Sequence, residues 1–444
     1  MAQSIYIAGA EAASGKSIIA LGVVNHLAAK GHSVGFFRPV IRGGETRDGM
    51  IHLINTRYKI PVEYDNCWGV THETMRRLVA DGRIDEMHTR IIAKYRAFQN
   101  QFDFVVCVGT DYTGIAAPLE FDFNADIANN LNCVVLPVVN AMEKDPSQIS
   151  AAVGVMLESL DAQNCDVLAI AVNRVIPRLV DSVRNTLEKS SRVTAPVYVI
   201  PEDSTLSNPT VGEVADALNA TALNTHRTGL NRKVATFKIA AMRLANVLDH
   251  LEDDCLIITP HDRADIAIGV ILADSATTYP RVAGLLLTGD IPHVPQVHRL
   301  LEGLGKRRVP IISVETDTFT AAIQASAVVG ALKPENERKI AAALAATETH
   351  MPLEELDQRL AVEPSDRMTP LMFEYELLHR AKSDRKRIVL PEGTDPRILR
   401  ATEILLLRDI VDITLLGVEE DIHTAAAQLG VSIEGADIID PLTS

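Results

Sequence analysis

The run Gly9-Ala10-Glu11-Ala12-Ala13-Ser14-Gly15-Lys16-Ser17 has the residue types needed to hold phosphate. Glycine and small residues let backbone N–H groups approach an anion. A helix opening at Lys16 would add its partial positive charge, and the lysine supplies a mobile cation. The Ser17 hydroxyl could ligate Mg²⁺. The spacing is unusual, because five residues separate Gly9 from Gly15 and Ala10 stands where the common pattern has glycine. Gly9, Ser14, Gly15, Lys16 and Ser17 are therefore candidates for nucleotide or anion binding. The alternative is a tight strand-to-helix turn with a solvated lysine. A second candidate, Glu392-Gly393, follows the apolar run Ile388-Val389-Leu390. Open α/β sheets line ligand crevices at such strand ends, although a plain turn would look the same.

These residues need parallel strands behind them, and the sequence supplies the pattern. Residues 4–219 alternate short apolar runs with amphipathic stretches. Strands are expected at Ser4–Ala10, Ser33–Val40, Phe102–Gly109, Cys133–Val139, Val167–Asn173 and Pro196–Ile200. Runs apolar throughout are the mark of strands covered on both faces, so a doubly wound α/β fold is expected. Residues 220–231 read as a linker. A second α/β block follows, with strands at Cys255–Thr259, Ala283–Thr288 and Pro310–Val314 and helices near Lys238–His250, Arg263–Ala273 and Thr318–Val329. The tail from Thr369 offers two strands, Arg387–Pro391 and Val411–Leu416, too few to close a sheet of this type.

The chain has 444 residues and a formal net charge of −15, which argues against general nucleic-acid or anionic-membrane binding. Five cysteines lie without a C-x-x-C pair, as expected for free thiols in a reducing compartment. No apolar run reaches the length of a membrane helix, and Met1-Ala2-Gln3-Ser4 leads directly into a strand. A cytoplasmic location is expected.

The long loop spacing is similar to the dethiobiotin synthetase branch of P-loop proteins. Arg38-Pro39-Val40, Val172-Asn173-Arg174, Ile200-Pro201-Glu202-Asp203 and Asn208-Pro209-Thr210-Val211 extend the likeness. That family has lysine at the place of Arg38 and an acid at the place of Val108, before Gly109. Asp111 lies close enough to substitute as a Mg²⁺ ligand. Arg38 reads either as a ligand cation or as a surface cation at a strand end. The second block resembles a DRTGG-type domain, through His261-Asp262-Arg263-Ala264-Asp265-Ile266 and Leu286-Leu287-Thr288-Gly289, with Asp290 in place of a second glycine. Asp262, Arg263, Thr288 and Gly289 are its candidate residues. Asp262 could instead cap the next helix. Arg263, unfavourable in a first helical turn, hints at an anionic partner.

With Ile388-Val389-Leu390-Pro391-Glu392-Gly393, Arg397 and Ala401, and with Thr316-Asp317-Thr318-Phe319 and Lys339-Ile340 in the middle segment, the order of blocks resembles long-form bacterial phosphate acetyltransferases. The resemblance implies a P-loop domain over 1–220, a DRTGG-type regulatory domain over 221–350, a linker over 351–368 and an incomplete catalytic domain over 369–444. It also implies acetyl transfer between acetyl-CoA and phosphate in acetate metabolism, without a catalytic metal, and a homo-oligomer at full length. A nucleotide with Mg²⁺ at the P-loop is a further expectation. The family's catalytic residues match no position here, and the chain reads as one cut off inside its catalytic domain. Competing readings are a regulatory protein that binds a metabolite without turnover and an ATP-dependent ligase.

Overall fold

The computed structural model describes residues 2–11, 13–44, 47–110, 117–223, 227–289, 309–362, 369–407 and 410–442. Its largest sheet contains β1 (Gln3–Gly9), β2 (Val34–Ile41), β3 (Trp68–Thr71), β4 (Phe104–Val108), β5 (Val134–Asn140), β6 (Ile170–Val175) and β7 (Val197–Pro201). The order is β3-β2-β4-β1-β5-β6-β7, all parallel. Ile5 and Ile7 of β1, Phe36 and Phe37 of β2, and Val105 and Val106 of β4 are fully buried, which is why these runs carry no polar alternation. Since β1 lies between β4 and β5, the chain crosses it when it changes sides, and the loop after β1 opens on that switch point. The strand β3 was not expected. It is a four-residue edge strand whose Gly69 lies so near Pro39 that an added Cβ would come within 2.4 Å of the carbonyl oxygen. A glycine in so short a run hides its strand character.

The second sheet has the order β8-β12-β11-β10-β9, from β8 (Thr221–Ala222), β9 (Thr236–Ile239), β10 (Cys255–Pro260), β11 (Gly284–Thr288) and β12 (Ile311–Val314). Two expectations change here. Within the supposed linker 220–231, β8 pairs antiparallel with β12. The expected helix Lys238–His250 gives way to β9, parallel to β10, and a shorter helix Leu244–Asp249. Ladder bonds to β10 override the local helical spacing.

The cores divide differently from the expected 1–220, 221–350 and 351–368. Helix Val211–Leu218 inserts Val211, Val214 and Ala215 among Leu256, Ile258 and Leu286 of the second sheet. Helices Glu337–His350 and Leu353–Val362 return to the first unit, where Ile340, Ala343, Met351, Leu353, Leu356 and Leu360 join its core. The described part of the region expected as a linker, residues 351–362, is thus largely helix. Glycine permits the return: a Cβ on Gly22 of helix Lys16–Ala29 would lie 2.5 Å from the Thr347 Cβ. A buried ion pair, Lys339 Nζ to Glu213 Oε2 at 2.8 Å, joins the return helix to helix Val211–Leu218. Removing one member of such a pair costs about 3–5 kcal/mol.

The tail forms a third parallel sheet, β13 (Arg387–Leu390), β14 (Asp412–Leu416) and β15 (Asp437–Ile439), one strand more than expected. Leu399, Ile413, Leu415, Ile422 and Ala426 form its small core. Residues 382–389 are exposed, including the edge strand's Ile388 and Val389. Such an edge opens locally more readily than the buried sheet. Limited trypsin digestion should therefore cut between Lys382 and Arg387 before any bond within residues 4–219. Equal resistance of the two regions would contradict this account.

Candidate functional site

The loop after β1 sits at the C-terminal ends of the central strands. Gly15 is the N-cap of helix Lys16–Ala29 and has a φ of 78°. A Cβ there would lie 2.2 Å from Asn173 Nδ2, and that same amide donates to the Ser14 carbonyl at 2.9 Å. Glycine is therefore required twice, for its backbone conformation and for room. Gly9 has a similar reason, because its Cβ would stand 2.6 Å from Ser14 Oγ. Arg174, at the end of β6, donates through Nη1 to the Ala13 carbonyl at 3.4 Å and pairs through Nε with Glu202 at 3.0 Å. The loop is held by the sheet on its far side through Asn173 and Arg174.

A cavity of about 510 Å³ opens beside it, lined by Gly15, Lys16, Ser17, Arg38, Asn173 and Arg174. Asp48, Pro201, Leu206 and residues 329–332 also line it, as do the charged residues Arg42, Glu202 and Asp203. Lys16 is 3% exposed and Arg38 8%, so neither the solvated lysine nor the surface arginine allowed by the sequence describes the fold. Burying cations at the positive end of a helix is unfavourable unless negative charge is supplied. Asp48 provides part of it, 3.8 Å from Arg38 Nε. Its carboxylate is also occupied in capping helix Gly49–Tyr58, where it accepts from Met50 N and Ile51 N at 3.0 and 3.1 Å. Among the described residues Arg38 Nε and Ser14 Oγ, both buried, have no hydrogen-bond partner. This chemistry fits the phosphate end of a ligand. Ser17, in the first helical turn, lines the same space, whereas Asp111 lies outside the described residues.

The structure thus brings together Gly15, Lys16, Ser17 and Arg38, with Gly9 and Ser14 shaping the loop behind them. It adds Asp48, Asn173, Arg174 and the 329–332 segment, which the site expected from sequence did not include. Asp48-Gly49 before Met50-Ile51 had an N-cap signature that could have drawn notice. Nothing in the sequence showed that residues 329–332 would return to the P-loop.

The candidates elsewhere are explained largely by local contacts. Arg263, not Asp262, is the N-cap of helix Ala264–Ser275, and Asp262 is exposed. The Arg263 guanidinium is met by Asp265 with two 3.0 Å bonds and by the Met242 carbonyl at 2.9 Å. The hydrogen bonds from Arg263 hold the Asp265 carboxyl below its ordinary range, so the expected anionic partner is already in the chain. Thr288 is buried and shares a 2.6 Å hydrogen bond with Thr318, while Gly289 turns the chain with a φ of 85°. Asp290 lies outside the described residues. At the end of β13 Glu392 is exposed. Gly393 is buried, and a Cβ there would come within 2.7 Å of the Leu416 carbonyl oxygen. Arg397 binds Asp395 through two bonds at 3.0 and 3.1 Å, drawing that carboxyl down to about 2.

Sequence kinship agrees with this division. Residues 3–210 match the family described as AAA domain, 213–328 the DRTGG domain, and 372–444 the phosphate acetyl/butaryl transferase family. The class is thus a P-loop unit followed by a DRTGG unit and an acyltransferase segment. A phosphate acetyltransferase of Nitratidesulfovibrio vulgaris is 38% identical over 99% of this chain and 63% of its own length. One of Synechocystis is 33% identical over 100% of this chain and 64% of its own. The chain is similar to phosphate acetyltransferases along essentially its whole length, and it spans a little under two thirds of these relatives' length. Among the described residues no helix is long and apolar enough to cross a membrane.

The double requirement for glycine at position 15 is testable. Gly15→Ala should lower stability to urea by about 1–3 kcal/mol. That loss should exceed the loss for Gly31→Ala, where φ is also positive but no atom lies within 4 Å of the new Cβ. Equal losses would show that Asn173 yields freely.

Proposed function

We propose that this chain is part of a phosphate acetyltransferase acting between acetyl-CoA and phosphate. The observation that carries the reading is the shared order of three units, matched over essentially the whole chain by relatives of that name. In the reaction an oxygen of phosphate bonds to the thioester carbonyl carbon, the carbon–sulfur bond breaks, and CoA leaves as its thiolate. The products are acetyl phosphate and CoA. Catalysis of such a step lies in stabilising the oxyanion and the departing sulfur. No residue among those described is assigned to it. Glu392 and Gly393 stand at a strand end near the natural place for a crevice, and they remain candidates for its wall.

Within that protein the P-loop unit is proposed to bind a nucleotide or another phosphorylated metabolite. Buried Lys16 and Arg38 would face the phosphates, and Ser17 would be the residue to meet a bound Mg²⁺. This supports a regulatory role for the unit more than ligase chemistry. Val108 stands where the related ligases place an acid, and two further α/β units follow. Small-molecule substrates, self-association at full length and a cytoplasmic setting, with no nucleic-acid or membrane partner, complete the reading. Net negative charge and free, mostly buried cysteines support it.

The test is thioester formation from acetyl phosphate and CoA by the protein expressed from its complete coding sequence. Turnover requiring both substrates is expected. Carboxylate-dependent ATP hydrolysis without thioester exchange would overturn the assignment in favour of a ligase.

A further inference from the structure

Part of the wall of the P-loop cavity comes from the segment that links the second unit to the return helix. Val329, Gly330, Ala331 and Leu332 line the cavity together with the loop residues. This segment follows helix Thr318–Ser326, whose Ala321 and Ala325 lie in the second unit's core. It is held in place through Glu213. One oxygen of that carboxylate accepts from Ala331 N at 2.8 Å. The other accepts from Lys339 Nζ at 2.8 Å and from Thr210 N at 2.7 Å. Gly330 N donates to the Ser207 carbonyl at 3.1 Å. Gly330 has no room for a side chain, since a Cβ would lie 2.5 Å from Lys339 Nζ and 2.6 Å from the Asn208 carbonyl.

Glu213 therefore sits on a helix of the second unit's core and bonds both to the cavity-lining segment and to the return helix. That return helix packs in turn on the helix that begins at Lys16, so the segment and the P-loop helix are connected through one buried carboxylate. The cavity is large enough for a phosphorylated small molecule to touch both sides.

We infer that the P-loop cavity is an effector site shared by the first two units, in which a polyphosphate-bearing small molecule bridges Lys16 and Arg38 to residues 329–332 and so clamps the units together through Glu213. The inference rests on the anion-binding reading of the P-loop and adds the second wall and the coupling. Because linkage is reciprocal, a ligand that tightens the Glu213 joint must itself bind less tightly when the joint is weakened.

ATP with Mg²⁺ is the probe, titrated calorimetrically into the 444-residue chain, with amide hydrogen exchange read before and after. Exchange across 329–340 and 211–218 should slow by about tenfold on binding, and Glu213→Gln should weaken binding by about tenfold, both within the usual span of coupling between sites. Val329 is 63% exposed, so Val329→Asp leaves the core intact, and its charge at the cavity wall should weaken the anion's binding. This second variant keeps the test informative if Glu213→Gln folds poorly. Binding to the unaltered chain without protection of these segments, or undiminished binding by Val329→Asp, would overturn the clamp while leaving the P-loop reading intact. No binding to the unaltered chain would overturn both.

Discussion

Desolvation of two cations along the C-terminal edge of the large sheet is the constraint on which the rest of this structure turns. Lys16 and Arg38 are taken out of water beside a helix N-terminus, a place whose field already favours negative charge. A fold can hold them there only if the surrounding backbone is rigid and some anion shares the space. Rigidity comes from Asn173 and Arg174, which hold the outer face of the loop, and from Gly15, the residue type that fits against Asn173. Asp48 supplies part of the negative charge but divides it between Arg38 and a helix cap. The remaining hydrogen-bonding capacity points toward a phosphate.

The same edge explains why the chain does not fold as three units strung in order. The first sheet leaves one face of helix Lys16–Ala29 to be covered, and the cover comes from residues 337–360, after the second sheet has been completed. Covering it this way carries residues 329–332 past the P-loop and makes Glu213 a junction among three elements. In this geometry the second unit is tied to the first by a closed circuit of chain, so its position and the shape of the phosphate cavity are set by shared contacts.

The sequence disclosed the central strands well, because parallel strands buried on both faces carry a strong apolar signal. Ile5, Phe36 and Val106 are examples. The P-loop was legible for a different reason, since glycines, small residues and a lysine fall between an apolar strand and the start of a helix. Edge strands were harder to read. The four residues of β3 include Gly69, and β9 has two of its four residues exposed, so both lack the run that marks a central strand. Lys339 looked like any helical lysine, and its burial follows from a carboxylate 126 positions away. Arg263 gave the reverse error. Its charge near a helix start suggested an anionic partner, yet an acid two residues distant, Asp265, satisfies it. Pairing over so short a span is easily overlooked when charges are read as ligand signals.

The most direct test of the central claim is phosphorus NMR of inorganic triphosphate titrated with this chain and with Lys16→Met. Saturable shifts in the unaltered chain, absent from a folded Lys16→Met variant, are the result that buried cations at the P-loop demand. Phosphorus signals that do not respond to the unaltered chain, or that respond equally to the variant, would contradict a phosphate site built around Lys16.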